Sequence, residues 1–260
     1  MAAPQDTRNM ALFCDFENVA LGVQDAKYEK FDISRVLERL LLKGSIVVKK
    51  AYCDWQRYKD FKASMHAAAF ELIEIPHVRQ SGKNSADIRM VVDALDLCYT
   101  KGHVDTFVII SGDSDFSPLV SKLRENNKEV IGVGVKNSSS DLLVSNCDEF
   151  IFYDDLVRED EVKRRAAKKR KESTPAGTDK QQEAFDLVME TLHALIAERG
   201  AGEKIWGSMV KQALKRRKPG FNESYYGYRA FSDLLEEAEK KGLIQLAPDE
   251  KSGGYLIRPA

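Results

Sequence analysis

Phe107-Val108-Ile109-Ile110-Ser111-Gly112-Asp113-Ser114-Asp115-Phe116 decides how this chain is read. Four apolar residues in a row fit a strand buried on both faces, and the Ser-Gly-Asp that follows carries the chain into a helix-starting Ser/Asp pair. The carboxyl end of a strand in an open α/β sheet is where ligands bind. Two carboxylates at such a place, two residues apart, suit a hard metal ion.

Working outward, residues 11–15 read as a first strand ending on Asp15, and residues 33–41 as an amphipathic helix that stops near Gly44. Strand and helix then alternate: strands at 46–53, 71–75, 106–111, 129–135 and 150–153, helices at 58–69, 86–99, 118–125 and 141–144. Such alternation predicts a mostly parallel sheet covered by helices on both faces. Residues 1–155 are therefore expected to form one α/β domain. The basic run Lys163-Arg164-Arg165-Ala166-Ala167-Lys168-Lys169-Arg170-Lys171 and the Ser/Thr/Pro/Gly stretch after it read as a linker, residues 156–178, whose charges are a solvated hinge or a phosphate-gripping arm. Residues 179–260 show three helical segments, at 184–196, 208–215 and 228–241. Two short strands, at 243–246 and 255–257, then flank a Ser-Gly-Gly turn. Three helices and a hairpin predict a small winged-helix domain.

Composition narrows the classes. With 43% hydrophobic and 31% charged residues, and without a run of about eighteen apolar residues, the chain reads as an ordinary globular protein and no membrane partner is expected. The polar start Met1-Ala2-Ala3-Pro4-Gln5-Asp6 shows no secretory signal, so a cytoplasmic location is expected. Cys14, Cys53, Cys98 and Cys147 lie far apart in or beside apolar segments, and His66, His77, His103 and His193 show no metal-ligand spacing. They read as reduced core thiols and ordinary histidines, not a zinc site. The net charge of −1 conceals an asymmetry. The first 155 residues carry an excess of acid and the remainder an excess of base, which suits metal capture in one half and a polyanion in the other.

The acidic positions form a set. Asp15 ends the first strand, with Asn18 three residues later to orient a water or phosphate through its amide; Asp87 opens a helix after Ser81-Gly82-Lys83-Asn84; Asp113 and Asp115 follow the fourth segment of strand. Crowded carboxylates repel one another and burial raises their pKa, a cost that a divalent cation removes. An all-oxygen donor set selects Mg²⁺ or Mn²⁺. Asp15, Asn18, Asp87, Asp113 and Asp115 are the candidate catalytic residues, the four aspartates the candidate metal ligands, and Lys83 a candidate phosphate contact. Any one of these aspartates could instead be no more than a helix cap. Glu17 and Asp93 are left open, Asp96 reads as a surface charge, and Asp141 as the cap of a short helix. In the C-terminal half, Lys215, Arg216, Arg217, Lys218 and Arg229 are the candidate phosphate contacts, with Trp206, Phe221, Tyr228 and Phe231 read as core.

Asp15-Phe16-Glu17-Asn18, Ser85-Ala86-Asp87 with Asp93, and Ser111-Gly112-Asp113-Ser114-Asp115-Phe116 together resemble the NYN domain family, a PIN-like nuclease group. The resemblance covers roughly residues 9–154 and implies a Rossmann-like fold, metal-binding aspartates at 15, 87, 113 and 115, a Mg²⁺ or Mn²⁺ cofactor and ribonuclease activity. Trp206-Gly207-Ser208-Met209-Val210-Lys211, Lys218-Pro219-Gly220-Phe221-Asn222-Glu223 and the segment from Tyr226 to Leu235 are similar to the LOTUS (OST-HTH) domain. That likeness implies RNA binding, single-stranded or structured, or a protein partner such as a helicase; PIN-like relatives also imply a possible homodimer.

The expected function is a metal-dependent endoribonuclease with an RNA-binding module. A non-catalytic RNA-binding adaptor is the main alternative, and mutation of Asp113 to Asn separates the two. A haloacid-dehalogenase-like phosphatase fails because its nucleophile motif needs D-x-D where this chain has Asp15-Phe16-Glu17. A winged-helix transcription regulator would require sequence-specific duplex binding by residues 179–258.

Overall fold

The structure is a computed structural model that describes residues 8–75, 84–171, 180–200, 202–249 and 254–260. The chain divides into two compact units, the first built on a sheet and the second on the helices and hairpin that follow Lys180.

In the first unit, strands β1 (Arg8–Asp15), β2 (Gly44–Cys53), β3 (Glu71–Glu74), β4 (Thr106–Ile110), β5 (Glu129–Gly134) and β6 (Glu149–Phe152) form one six-stranded sheet. Their order is β3-β2-β1-β4-β5-β6, and β1/β4, β2/β3, β4/β5 and β5/β6 pair in parallel. The order reverses between β1 and β4, which opens a crevice at their carboxyl ends.

Strand periodicity divides the core in two. Leu12, Cys14, Val108 and Ile110 pack on one face with Val19 and Val23 of α1 (Phe16–Asp25), Val36 and Leu40 of α2 (Ile33–Lys43) and Met65 of α3 (Lys59–Ala67). Ala11, Phe13, Phe107 and Ile109 pack on the other with Met90, Ala94 and Cys98 of α4 (Ser85–Thr100) and Leu119, Val120 and Leu123 of α5 (Ser117–Glu125). Alternate residues of each strand thus feed opposite faces, so β1 and β4 are apolar throughout. The four cysteines are free, three of them buried, and burial pushes the Cys14, Cys53 and Cys147 thiols up.

Two readings of the sequence need correction. Asp15 is followed directly by α1, a helix missing from the spans read from the sequence, and its carboxylate caps that helix. The supposed linker begins as α7 (Tyr153–Lys171), a nineteen-residue helix whose Leu156 and Val157 are buried in the sheet's core, so packing extends the α/β unit beyond residue 155. The basic run up to Lys171 is helical in its backbone. A smaller correction concerns α6 (Asp141–Asn146): Ser140 caps it by accepting from the Leu142 N–H, and Asp141 sits inside its first turn.

The second unit contains α8 (Lys180–Arg199), α9 (Gly207–Arg217), α10 (Phe231–Lys240) and an antiparallel hairpin of β7 (Ile244–Asp249) and β8 (Gly254–Pro259). Phe185, Val188, Leu192, Val210, Leu234 and Ile257 make its core. Gly242, at φ 70°, takes the left-handed conformation that ends α10. Among the described residues, no helix is long and apolar enough to cross a membrane.

Candidate metal centre

Asp15 and the Ser111-Gly112-Asp113 turn meet because β1 and β4 are neighbours in register, Cys14 beside Ile110. The Ser111 hydroxyl donates to Asp15 Oδ2 at 3.1 Å, and the Asn18 N–H donates to Asp15 Oδ1 at 3.4 Å. Asn18 returns the tie across the crevice, its Oδ1 accepting from the Gly112 N–H at 2.8 Å. Its amide NH₂ is then the polar group left to face a ligand. The Asp113 N–H donates to Ser111 Oγ at 3.2 Å, and Asp113 Oδ1 accepts from the Asp115 N–H at 2.9 Å. Asp15 and Asp113 therefore each serve as caps, as the bland reading of the sequence allows.

Gly112 is required by close approach. A Cβ there would stand 2.3 Å from the carbonyl oxygen of Ser138, and the Gly112 carbonyl itself accepts from the Ser140 N–H at 2.8 Å. This contact fixes the direction in which Asp113 leaves β4.

Asp87 differs from the other aspartates. It lies in the first turn of α4, where Asn84 is the cap residue, and among the described residues its carboxylate has no hydrogen-bond partner. Half burial and the charges of Asp113, Asp115 and Glu17 raise its pKa to about 6. Asp15 is 8% exposed, and burial followed by the charges of Asp87 and Asp113 raises its pKa to about 7, against the opposing hydrogen bonds from Ser111 and Asn18. The four aspartates thus share one electrostatic environment. Glu17 joins them through its effect on Asp87 while forming an ion pair with Arg57 at 2.9 Å. Its place in Asp15-Phe16-Glu17-Asn18 was visible, but its direction depended on α1 starting at once.

Among the described residues, no three carboxylate, histidine or cysteine side chains converge closely enough to make a ready metal site as they stand. The chemistry of the donors nonetheless fits a hard divalent cation, since Asp15, Asp87, Asp113, Asp115, Ser111 and Asn18 offer oxygen and amide groups and burial holds the nearby Cys14 thiol neutral. Coordination requires the carboxylates to close up by side-chain rotation, against a repulsion that the cation itself cancels.

Asp93 is elsewhere. Its carboxylate accepts from the Tyr52 hydroxyl at 2.9 Å, from Lys50 at 3.2 Å and from Arg89 at 3.0 Å. Burial raises its pKa, but these partners outweigh burial and hold it below the ordinary value. Asp96 is exposed, as its helix position implied. Lys83 lies outside the described residues.

In the second unit, Lys215, Lys218 and Arg229 are exposed. Arg217 is not a surface cation: its guanidinium donates to Glu190 at 2.7 Å and to Thr191 at 3.3 Å, and its side chain is 7% exposed. Arg216 is half-buried, and that burial together with the charge of Arg199 lowers its pKa. Phe221, Tyr228 and Phe231 are buried, as their size suggested, whereas Tyr225 is exposed with the Lys180 ammonium 4.5 Å from its ring centroid.

Residues 9–154 match the family model of the NYN domain. An uncharacterized protein of Methanocaldococcus jannaschii is 26% identical over 140 residues, which cover 54% of this chain and 55% of the relative. The chain thus spans about half the length of that curated relative. The crystal structure of a protein of unknown function from Vibrio parahaemolyticus is 25% identical, with a TM-score of 0.52 across 59% of this chain and 98% of that one.

Proposed function

Since the chain belongs to the NYN domain family, a PIN-like nuclease group, through residues 9–154, we propose that it is a metal-dependent ribonuclease cutting phosphodiester bonds endonucleolytically. The observation that carries this is the cluster of Asp15, Asp87, Asp113 and Asp115 at the β1/β4 crevice, unpaired with any cation among the described residues, where burial and mutual repulsion raise the pKa of Asp15 to about 7 and of Asp87 to about 6. Clustered carboxylates without a paired cation mark functional sites.

Asp15, Asp87, Asp113 and Asp115 would hold Mg²⁺ or Mn²⁺, which when bound supplies Lewis-acid charge and an acidified water for in-line attack on phosphorus. Asp15 is the rigid member, clamped by Ser111 and by the first turn of α1. Asp87 is the adjustable one, free of hydrogen bonds within the described residues and set at a helix start. Asn18, tied at Oδ1 to Gly112, presents its NH₂ to a phosphate oxygen or the attacking water. The second unit, read as a LOTUS-type winged helix, binds RNA through Lys215, Lys218 and Arg229, with Tyr225 as a stacking surface. Arg217, held by Glu190 and Thr191, and the half-buried Arg216 are left out of this contact set.

A non-catalytic adaptor is the second reading, favoured by the absence of a converged ligand set among the described residues and by the capping roles of Asp15 and Asp113. Labelled single-stranded RNA, incubated with the purified protein and Mn²⁺ or Mg²⁺ beside Asp113→Asn and an EDTA control, separates the two. Cleavage abolished in both controls supports the nuclease. RNA binding without cleavage by the folded wild type supports the adaptor.

A further inference from the structure

We infer that the cleft beside Asp115 seats an unpaired nucleobase of the RNA, next to the phosphate held at the acidic crevice; this inference rests on the ribonuclease reading. The cleft has a volume of about 630 Å³ and is lined by Ser114, Asp115, Ser117, Pro118, Ser121 and Leu142. That volume lies within the ~300–1,000 Å³ typical of small-ligand sites. One wall is the first turn of α5 and the other is α6, so the cleft is built on elements anchored in the core by Leu119, Val120 and Leu143.

Its chemistry selects the guest. Leu142 is 56% exposed, and with the exposed Pro118 it offers an apolar surface for a flat ring. The Ser114 and Ser121 hydroxyls can donate to or accept from a base edge. Lysine and arginine are missing from this lining, and its single charge is the carboxylate of Asp115. With Asp115 given to the metal, the remaining lining offers a phosphate no cation, whereas a neutral base finds hydroxyl partners and an apolar wall.

A second observation comes from Ser117. The residue is 6% exposed, and among the described residues its buried Oγ has no hydrogen-bond partner. Buried polar groups are rarely left so in a native fold; this one is closed to solvent, and a ligand completes it only after the side chain rotates toward the cleft that Ser117 lines. Asp115 connects the cleft to the crevice, since it lines the one and its N–H donates to Asp113 Oδ1 of the other at 2.9 Å. A strand bound at the crevice can therefore turn one base into the cleft.

The test uses the full chain and a set of short single-stranded RNAs of one sequence, each carrying one abasic ribose at a different position. Affinity is read by fluorescence anisotropy in Ca²⁺, and the cleaved bond is mapped in Mn²⁺. One abasic position beside the cleaved phosphate should weaken binding about tenfold, with little change elsewhere. Ser121→Trp, which fills the cleft from an exposed position, should bind intact RNA as weakly as the wild type binds that abasic RNA, with no further loss when the two are combined. Leu142→Ala should give a smaller loss of the same pattern. A wild type that cuts RNA with no position-dependent abasic effect, or a Ser121→Trp protein that retains the full effect, overturns the base seat and leaves the nuclease standing. Binding with the abasic pattern but without cleavage retains the seat and removes the nuclease, and no RNA binding at all removes both.

Discussion

Asp15 and Asp93 are two carboxylates of one α/β unit, both withdrawn from solvent, and the fold treats them in opposite ways. Asp93 receives a hydroxyl, an ammonium and a guanidinium, which hold it charged. Asp15 receives one hydroxyl and one backbone N–H and is set among anions, which hold a proton on it until about pH 7. Among the described residues, no cation pairs with Asp15, Asp87, Asp113 or Asp115 as Lys50 and Arg89 pair with Asp93. That difference is what the proposed metal site builds on, since a cation supplied from solution would take the place of the missing partner.

The largest effect that could break this comparison is on turnover. Asp15→Asn should lower RNA cleavage by about 10³-fold, comparable to the loss of one charge-stabilising group in other active sites. Asp93→Asn should change it less than about tenfold once folded protein is compared. Steady-state kinetics of both variants checks this, and equal losses would remove the distinction.

Stability should sort the pair the other way. Asp93→Ala leaves Lys50 and the Tyr52 hydroxyl without their acceptor and should cost about 2 to 3 kcal/mol in urea unfolding, discounted for partial exposure. Asp87→Asn removes repulsion while losing no hydrogen bond and should raise metal-free stability by about 1 kcal/mol.

The pH dependence is finer still. Asp15 and Asp87 have folded pKa values, about 7 and about 6, above the ordinary carboxylate value, so the unfolded chain loses these protons first. Their contribution to stability is complete below about pH 4 and is lost as pH rises through 6 to 7. Asp93, depressed in the fold, contributes above about pH 4 and loses its contribution as pH falls through its lowered value. Thermal melts without metal should therefore show Tm declining from pH 5 to 8 in the wild type, with a flatter profile in Asp87→Asn. Added Mn²⁺ should remove the decline, because binding favours the ionised carboxylates.

The smallest effect concerns the scaffold. Gly112→Ala must displace the Ser138 carbonyl and should destabilise by about 1 to 3 kcal/mol, the usual cost of overpacking. Cleavage should fall further than this loss of stability explains, since Asp113 shifts with the turn.

The sheet was legible because its strands are short apolar runs punctuated by Gly, Asp and Ser, and because one strand end carries Ser111-Gly112-Asp113. What stayed hidden depends on contacts between distant segments. Helix α1 could not be separated from a loop, since Asp15 serves equally as a strand end and as a cap. Helix α7 was hidden by a basic tail that resembles a hinge, although Leu156 and Val157 anchor its start in the core. Asp93 could not be placed without Lys50 and Tyr52, forty residues away along the chain. Arg217 read as one of five candidate contacts, and only the fold shows Glu190 and Thr191 holding it.

The central claim is tested most directly by calorimetric titration of the full chain with Mn²⁺ in buffers of different ionisation enthalpy, at pH 6.5 and again at pH 8.5. The account predicts binding at both, with about one proton released at the lower pH, almost none at the higher, and the release lost in Asp15→Asn. Wild-type protein that binds no Mn²⁺ at pH 8.5, or that binds it at pH 6.5 without releasing a proton, would contradict the account.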